Sequence, residues 1–428
     1  MFDPEKRYRV AVIGSGISGS SSAWFLSQKH DVTLFEKNPT LGGHTNTLDV
    51  VLANGDKTPV DTGFIVYNEP NYPLLKAMLA HLNVATHPTD MSFAVSIDQG
   101  RLEYAGNNLN TLFAQRKNLF SVRHWRMIAD ILRFNAGAQT DLVQGLPAHL
   151  TLGEYLAREG FGQAMQQDYL LPMAAAIWSC PTQTMLKFPA QSFLQFFANH
   201  GLLSVNQRPQ WRTVIQGART YLEKILALES FAVYQQGVTG VTFADTPEQG
   251  LYLRSSDGLE HQFDQVVFAC HADEAYALLE DSSFALLKSF SYQYNQAWLH
   301  TDSAQMPASK RAWASWNYLS AKHNKAQSGV AVTYWMNALQ PLATQENVFV
   351  TLNPLVEPRA ETVLKVLDYQ HPVFDRQAIQ AQAQLPRIQG VKNCWFVGAY
   401  TGYGFHEDGL ASAVALAQRW QLGLPWEA

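Results

Sequence analysis

The chain is short of cysteine, short of charge and without a long apolar run, and each shortage removes a class of protein. Only three cysteines occur in 428 residues, Cys180, Cys270 and Cys394. They are odd in number, far apart and outside any C-x-x-C pair, so neither a disulfide framework nor a zinc site is expected. The thirteen histidines show no H-x-x-x-H spacing, and no metal site is expected from them. Charged residues make up 16% against roughly 25% in an average soluble protein, a deficit that fits a deep core or a large apolar cavity. The net charge of -5 with scattered Lys and Arg leaves no electrostatic footprint for nucleic acid. The longest apolar run, Tyr169 to Trp178, is broken by Pro172 and is about half the roughly 20 residues a membrane span needs. An apolar strand starts at Tyr8 after seven mostly polar residues. That leaves no room for a signal-peptide core, so a cytoplasmic location is expected.

At this length two packed domains are expected rather than one. There are no repeats or low-complexity tracts. Instead, strand and glycine-turn signals of one kind recur near the start, in the middle and at the end. From Arg9 the order reads strand, Gly-rich turn, helix (Ser18 to Gln28) and strand (Val32 to Glu36), which is βαβ-like. Between Tyr72 and Arg208 a strand pair (Ser92 to Ile97, Arg101 to Tyr104) precedes helical spacing. Alternating runs from Phe231 to Cys270 read as strands. The stretch from Tyr292 to Gln384 reads as strands followed by a helix near Glu361 to Leu367. A strand (Cys394 to Val397), a Gly-rich loop and a helix (Gly409 to Trp420) close the chain. The fold class predicted is α/β with an α+β second domain. One Rossmann-type domain is assembled from 1–71, 209–290 and 388–428, and a substrate or cap domain from 72–208 and 291–387.

The sharpest motif is Ile13-Gly14-Ser15-Gly16-Ile17-Ser18-Gly19, a G-x-G-x-x-G between a buried strand and an apolar helix. Gly14 permits the tight turn, Gly16 lets backbone approach a pyrophosphate, and Gly19 lets helix pack on strand. The helix N-terminus offers N–H groups and positive dipole to phosphates, so no cationic side chain is required. Glu36 and then Lys37 end the second strand, Glu36 lying 22 residues after Gly14, where an acid accepts from ribose hydroxyls. The alternative is a glycine turn that merely joins strand to helix.

Further segments separate FAD from NAD, and here the chain resembles the FAD-dependent amine oxidase, protoporphyrinogen oxidase and phytoene desaturase superfamily along its whole length. Gly42-Gly43-His44-Thr45 resembles the superfamily's second glycine pair. Asp61-Thr62-Gly63-Phe64 resembles the next flavin-facing turn, and Val238 the position that meets the adenine. Gly398-Ala399-Tyr400 with Gly402 to Leu410 resembles the C-terminal FAD signature, in which Glu407, Asp408, Gly409 and Leu410 start a helix. Such a helix directs its dipole at flavin N1 and O2. His44 stands where amine oxidases of the superfamily carry Arg. Cys394 lies inside the final strand, not where some relatives attach flavin covalently, so the resemblance implies non-covalent FAD.

Finer wording (Leu299 to Asp302, Trp313 to Tyr318, Thr333 to Asn337, Gly404 to Gly409) is similar to a bacterial set of predicted NAD/FAD-binding, flavin amine oxidase-like proteins. These accompany cyclopropane-fatty-acyl synthase-like methyltransferases. The resemblance implies hydride transfer between flavin N5 and an apolar substrate, an unsaturated or methyl-branched fatty-acyl chain. Two alternatives are an amine oxidase and an FAD-retaining partner subunit of a lipid methyltransferase. The residues expected beside the reacting atoms are His406, Tyr403 and Tyr400. Trp178, Trp313, Trp316, Tyr334 and Trp335 are candidates for the substrate wall, although aromatics are more often core. Cys180 and Cys270 read as buried small hydrophobes. Finally, Arg116, Lys117, Arg123, Arg126 and Arg133 flank Trp125, Ile128 and Leu132, which share one helical face. Two readings stay open: a solvated helix with this stripe in the core, or a peripheral contact with the inner surface of an anionic membrane.

Overall fold

A computed structural model of the chain describes residues 2–147, 149–178, 182–204, 209–246, 249–323 and 327–427. Strand β1 (Arg9–Ile13) is buried at every residue but the first, as a strand covered on both faces must be. It pairs in parallel with β2 (Asp31–Phe35) and with Gln265–Phe268. Ala232–Tyr234 and Cys394–Phe396 complete a five-stranded sheet whose pairings are all parallel. Three stretches far apart in sequence thus supply one sheet. Helix α1 (Ile17–Ser27) follows β1 and is buried over all but its last residue. The C-terminal helix, His406–Arg419, lies closely against it, with Gly409 over Ser18.

A hairpin of β3 (Thr47–Val51) and β4 (Lys57–Asp61) leads towards helix α2 (Pro73–His81). The second large sheet has seven strands. Val363–Val373, Ser291–His300, Phe349–Leu352, Gln327–Trp335, Trp316–His323, Phe93–Ile97 and Leu102–Ala105 lie in that order. All pairings are antiparallel except that of Trp316–His323 with Phe93–Ile97. The expected helix over Glu361 to Leu367 is therefore corrected to a strand. Val363, Leu364, Val366 and Leu367 suit a helical face and a strand equally well. Ten paired positions with Ser291–His300 decide for the strand, as long-range pairing decides for short apolar runs generally.

Helices α3 (Leu109–Leu112) and α4 (Val122–Gln144) follow the strand pair. Helix α4 with Leu152–Arg158, Leu171–Trp178 and Ala190–Asn199 encloses a core around Phe134, Tyr155, Phe193 and Phe197. No helix among the described residues is long and apolar enough to cross a membrane. Cys180 lies outside the described residues.

Candidate functional site

The site begins where β1 ends. Gly14 has φ +101°, and a Cβ there would stand 3.0 Å from the Ala269 carbonyl oxygen. A Cβ on Gly19 would fall 1.8 Å from the Gly14 oxygen, so the turn closes only on glycine. Gly16 precedes α1, and no side chain caps that helix, which leaves its first N–H groups free for an anion. Gly43, at φ +56°, brings the second glycine loop against the first, its Cβ position 3.3 Å from the Gly16 Cα. Ser15 stitches the two: its hydroxyl donates to Glu36 Oε2 at 2.6 Å and accepts from Gly42 N at 2.9 Å.

These loops form one end of a single large cavity of about 900 Å³, near the upper limit for small-molecule sites. Ile13, Gly14, Gly16, Ile17 and Ser18 line this end, with Glu36, Lys37 and Val238 beside them. Glu36 is buried and accepts from Ser15 N, Ser15 Oγ, Asn38 N and Asn38 Nδ2. Lys37 is paired with Glu274 at 2.6 Å. Further along, the wall passes Gly43, His44, Gly63, Phe64 and Gly398. A Cβ on Gly63 would stand 2.3 Å from the His44 oxygen, and one on Gly398 would strike the Tyr400 ring. The far end is aromatic: Tyr104, Trp178, Phe196, Trp316 and Tyr334 belong to it.

The first turn of the C-terminal helix meets the first turn of α1. A Cβ on Gly409 would stand 2.8 Å from Ile17 Cγ2, so two helix N-termini converge at the first glycine turn. The two acids of that helix face protein rather than cavity. Glu407 accepts from Leu74 N at 2.7 Å and Leu75 N at 3.0 Å, capping α2, and burial pushes it up to about 7. Asp408 accepts from Phe405 N at 2.9 Å, and burial raises it too. Gly19, Gly42, Thr45, Gly409 and Leu410 likewise stand behind the wall and support it, Leu410 in the core with Ile17.

Of the residues expected beside the reacting atoms, His406 is in the wall, stacked on Phe64 with ring centres 3.9 Å apart. The Tyr221 hydroxyl, itself bonded to Thr45 Oγ1, lies 2.8 Å from His406 Nε2. Burial drives this imidazole down to about 3, so it is neutral at physiological pH. Tyr400 is buried with an unpartnered hydroxyl. Tyr403 is half-buried near Phe196. Trp313 and Trp335 pack on each other, 5.4 Å apart, and do not reach the cavity.

Composition and motif did not single out three histidines that share the wall, His200, His271 and His371. Burial holds His371 down to about 4. His44 lies well below its ordinary value through burial and through His371, His271 and His406. Only scatter through the sequence hid His200, His271 and His371, since they come from three separate segments. Among the described residues no cluster is placed to hold a metal ion. Cys270 is corrected in part: it packs against the core of the parallel sheet but is only half-buried, and it lines the cavity beside Gly14. Cys394 is buried in its strand.

The architecture is a parallel Rossmann-type sheet joined to a large mixed sheet over one shared cavity. A family profile for the NAD(P)-binding Rossmann-like domain matches residues 12–82. Solved structures are similar over nearly the whole chain. A CLA-producing fatty acid isomerase from P. acnes has a TM-score of 0.69 at 14% identity, covering 98% of this chain and 99% of the other. Cyclohexylamine oxidase from Brevibacterium oxydans IH-35A has a TM-score of 0.62 at 15% identity, covering 97% and 100%. Putrescine oxidase bound to putrescine has a TM-score of 0.65 at 13% identity, covering 97% and 99%. No protein of curated function matches in sequence. The fold is thus the one shared by this fatty acid isomerase and these amine oxidases.

Proposed function

We propose that the chain is an oxidoreductase that holds FAD non-covalently and acts on an unsaturated or methyl-branched fatty-acyl chain. The observation that carries this reading is the continuity of the cavity, from two interlocked glycine loops to an aromatic end. Bound FAD supplies hydride transfer at flavin N5.

The residues present fit that cofactor. The uncapped α1 N-terminus and the glycine backbones suit a pyrophosphate, and Glu36 suits ribose hydroxyls if they replace its Ser15 or Asn38 side-chain donors. His44 Nε2, His271 Nδ1 and Tyr400 Oη are buried in the wall without hydrogen-bond partners among the described residues, a cost that a polar ligand removes. Cys394, buried in the last strand, stands outside the cavity wall, which supports dissociable FAD. His406, tethered and neutral, positions the loop around the ring rather than carrying a proton at neutral pH.

The aromatic end supports an apolar substrate. The acids of the wall, Glu36, Glu274 and Asp368, are all committed, Glu274 to Lys37 and Asp368 to Tyr294, so none is free to hold an ammonium group. A fatty acid isomerase among the similar structures favours the same substrate class. The test is anaerobic mixing of the holoprotein with fatty acids, acyl lipids and amines while following oxidised-flavin absorbance. Bleaching by acyl chains is expected. Bleaching by amines alone would replace this reading by an amine oxidase, and acid-precipitated protein that stays yellow would overturn non-covalent attachment.

A further inference from the structure

Helix α4 turns part of its apolar stripe outward. Met127, Phe134 and Ala138 pack into the core, Ile128 is half-buried, and Trp125 and Leu132 are exposed. The reading that put this stripe in the core is thus corrected for those two residues. Val122, Trp125, Ala129, Leu132, Ala136 and Val143 follow one another at steps of three, four and seven, which places them on one solvent face. Leu109, Leu119 and Phe120, just before the helix, are exposed too, Phe120 at 89%. Exposed apolar residues of this size usually stand alone. Here they are gathered on one segment and held in place: Trp125 donates from Nε1 to the Leu119 carbonyl at 2.9 Å and packs on Phe113.

Charge decides what covers this face. From Tyr104 to Ala129 the sequence holds no Asp or Glu, but it holds Arg116, Lys117, Arg123 and Arg126, a basic island on a chain of net charge -5. Arg123 is paired with Asp168. Among the described residues Arg116 bonds to the Asn110 side chain and to the Asn110 and Phe113 carbonyls, with no acidic partner. Lys117 and Arg126 have no ion pair among the described residues. A second copy docked by two-fold symmetry would bring like charges together, whereas a bilayer with anionic headgroups accepts both the apolar stripe and its basic border.

We propose that this segment, 109–143, is a docking surface for an anionic lipid bilayer. It backs on the cavity: His124, on the inner side of α4, packs against Tyr104 at 5.6 Å, and Tyr104 and Gly106 belong to the cavity wall. The surface therefore holds the aromatic end of the cavity close to the lipid from which an acyl chain would come.

The experiment is co-sedimentation of the full chain with phosphatidylglycerol vesicles and, separately, with phosphatidylcholine vesicles. Binding to phosphatidylglycerol is expected, falling as salt is raised. The double variants F120S/W125S and K117E/R126E are each expected to weaken it by roughly tenfold or more. All four side chains are exposed, and an unchanged flavin content and melting curve verify that the variants fold. No binding at low salt, equal binding to phosphatidylcholine, or variants that bind like the parent would overturn the proposal. So would a dimer in sedimentation equilibrium that F120S/W125S converts to monomer, since a second copy would then be the occupant. The measurement needs no turnover, so its failure is separate from failure of the acyl-substrate reading.

Discussion

At the scale of single residues, the motifs were readable wherever backbone contact dictates the side chain, and less readable where a side chain answers to distant partners. Gly19 belongs to the first kind. Gly19→Ala would press a methyl group onto the Gly14 carbonyl, at a cost of ~1–3 kcal/mol or more, and we expect protein that purifies without yellow colour. Full flavin occupancy in this variant would count against the cradle. Asp61 belongs to the second kind. Its motif resembled a flavin-facing turn, yet the carboxylate is buried and accepts from Thr47 Oγ1 at 2.5 Å, Ala218 N at 2.9 Å and Gln340 Nε2 at 2.7 Å. Two of these partners come from elements far along the chain, which no local pattern reveals. Asp61→Ala leaves three buried donors unpaired and should cost on the order of 3 kcal/mol, measured by urea unfolding. Asp61→Asn should cost less. Burial pushes Asp61 up to about 7 from about 4 in the unfolded chain. Its proton therefore adds stability that is full below pH 4 and lost as pH rises through 7, a slope the Asn variant should lack.

At the scale of elements, local periodicity placed α1, β2 and the last strand within a residue or so, because each is a largely buried apolar run. It failed where two periods fit one stretch. Val363–Val373 satisfied a helical face for its first residues, and only Ser291–His300 reveals it as a strand. The C-terminal helix shows another limit. The Glu-Asp-Gly start was readable as a helix entrance, but the role of Glu407 was not, because the helix it caps is α2, over 330 positions earlier. Glu407→Ala frees Leu74 N and Leu75 N at once and should lower stability by about 1–2 kcal/mol. Differential scanning calorimetry is the measure, with flavin content unchanged at low temperature. A variant that loses flavin but keeps its melting temperature would show that Glu407 answers to the cofactor instead of to α2.

At the scale of the whole molecule, the segments that share a sheet were foreseeable from their order, while the register between lobes was not. Phe93–Ile97 lies parallel to Trp316–His323 across more than 200 residues, and the cavity closes between such partners. That closure has a titration consequence. His44, His200, His271, His371 and His406 all face the cavity, and burial lowers every one of them, His200 and His371 to about 4 and His406 to about 3. A histidine whose folded value is depressed takes up its proton more readily when unfolded, so stability falls as pH drops below 6.5 towards those values. Asp61, Glu407 and Asp408, raised by burial, act in the opposite direction over the same range. The histidines are more numerous, and those lining the cavity would hold the flavin loops only while neutral. Acidification from pH 7 to pH 5 should therefore lower the melting temperature while the imidazoles of the folded protein stay neutral, so that flavin is released together with unfolding and not before it. A melting temperature that stays flat over that interval, or flavin lost well below the melting temperature, would show that these imidazoles are not held neutral by the closed cavity.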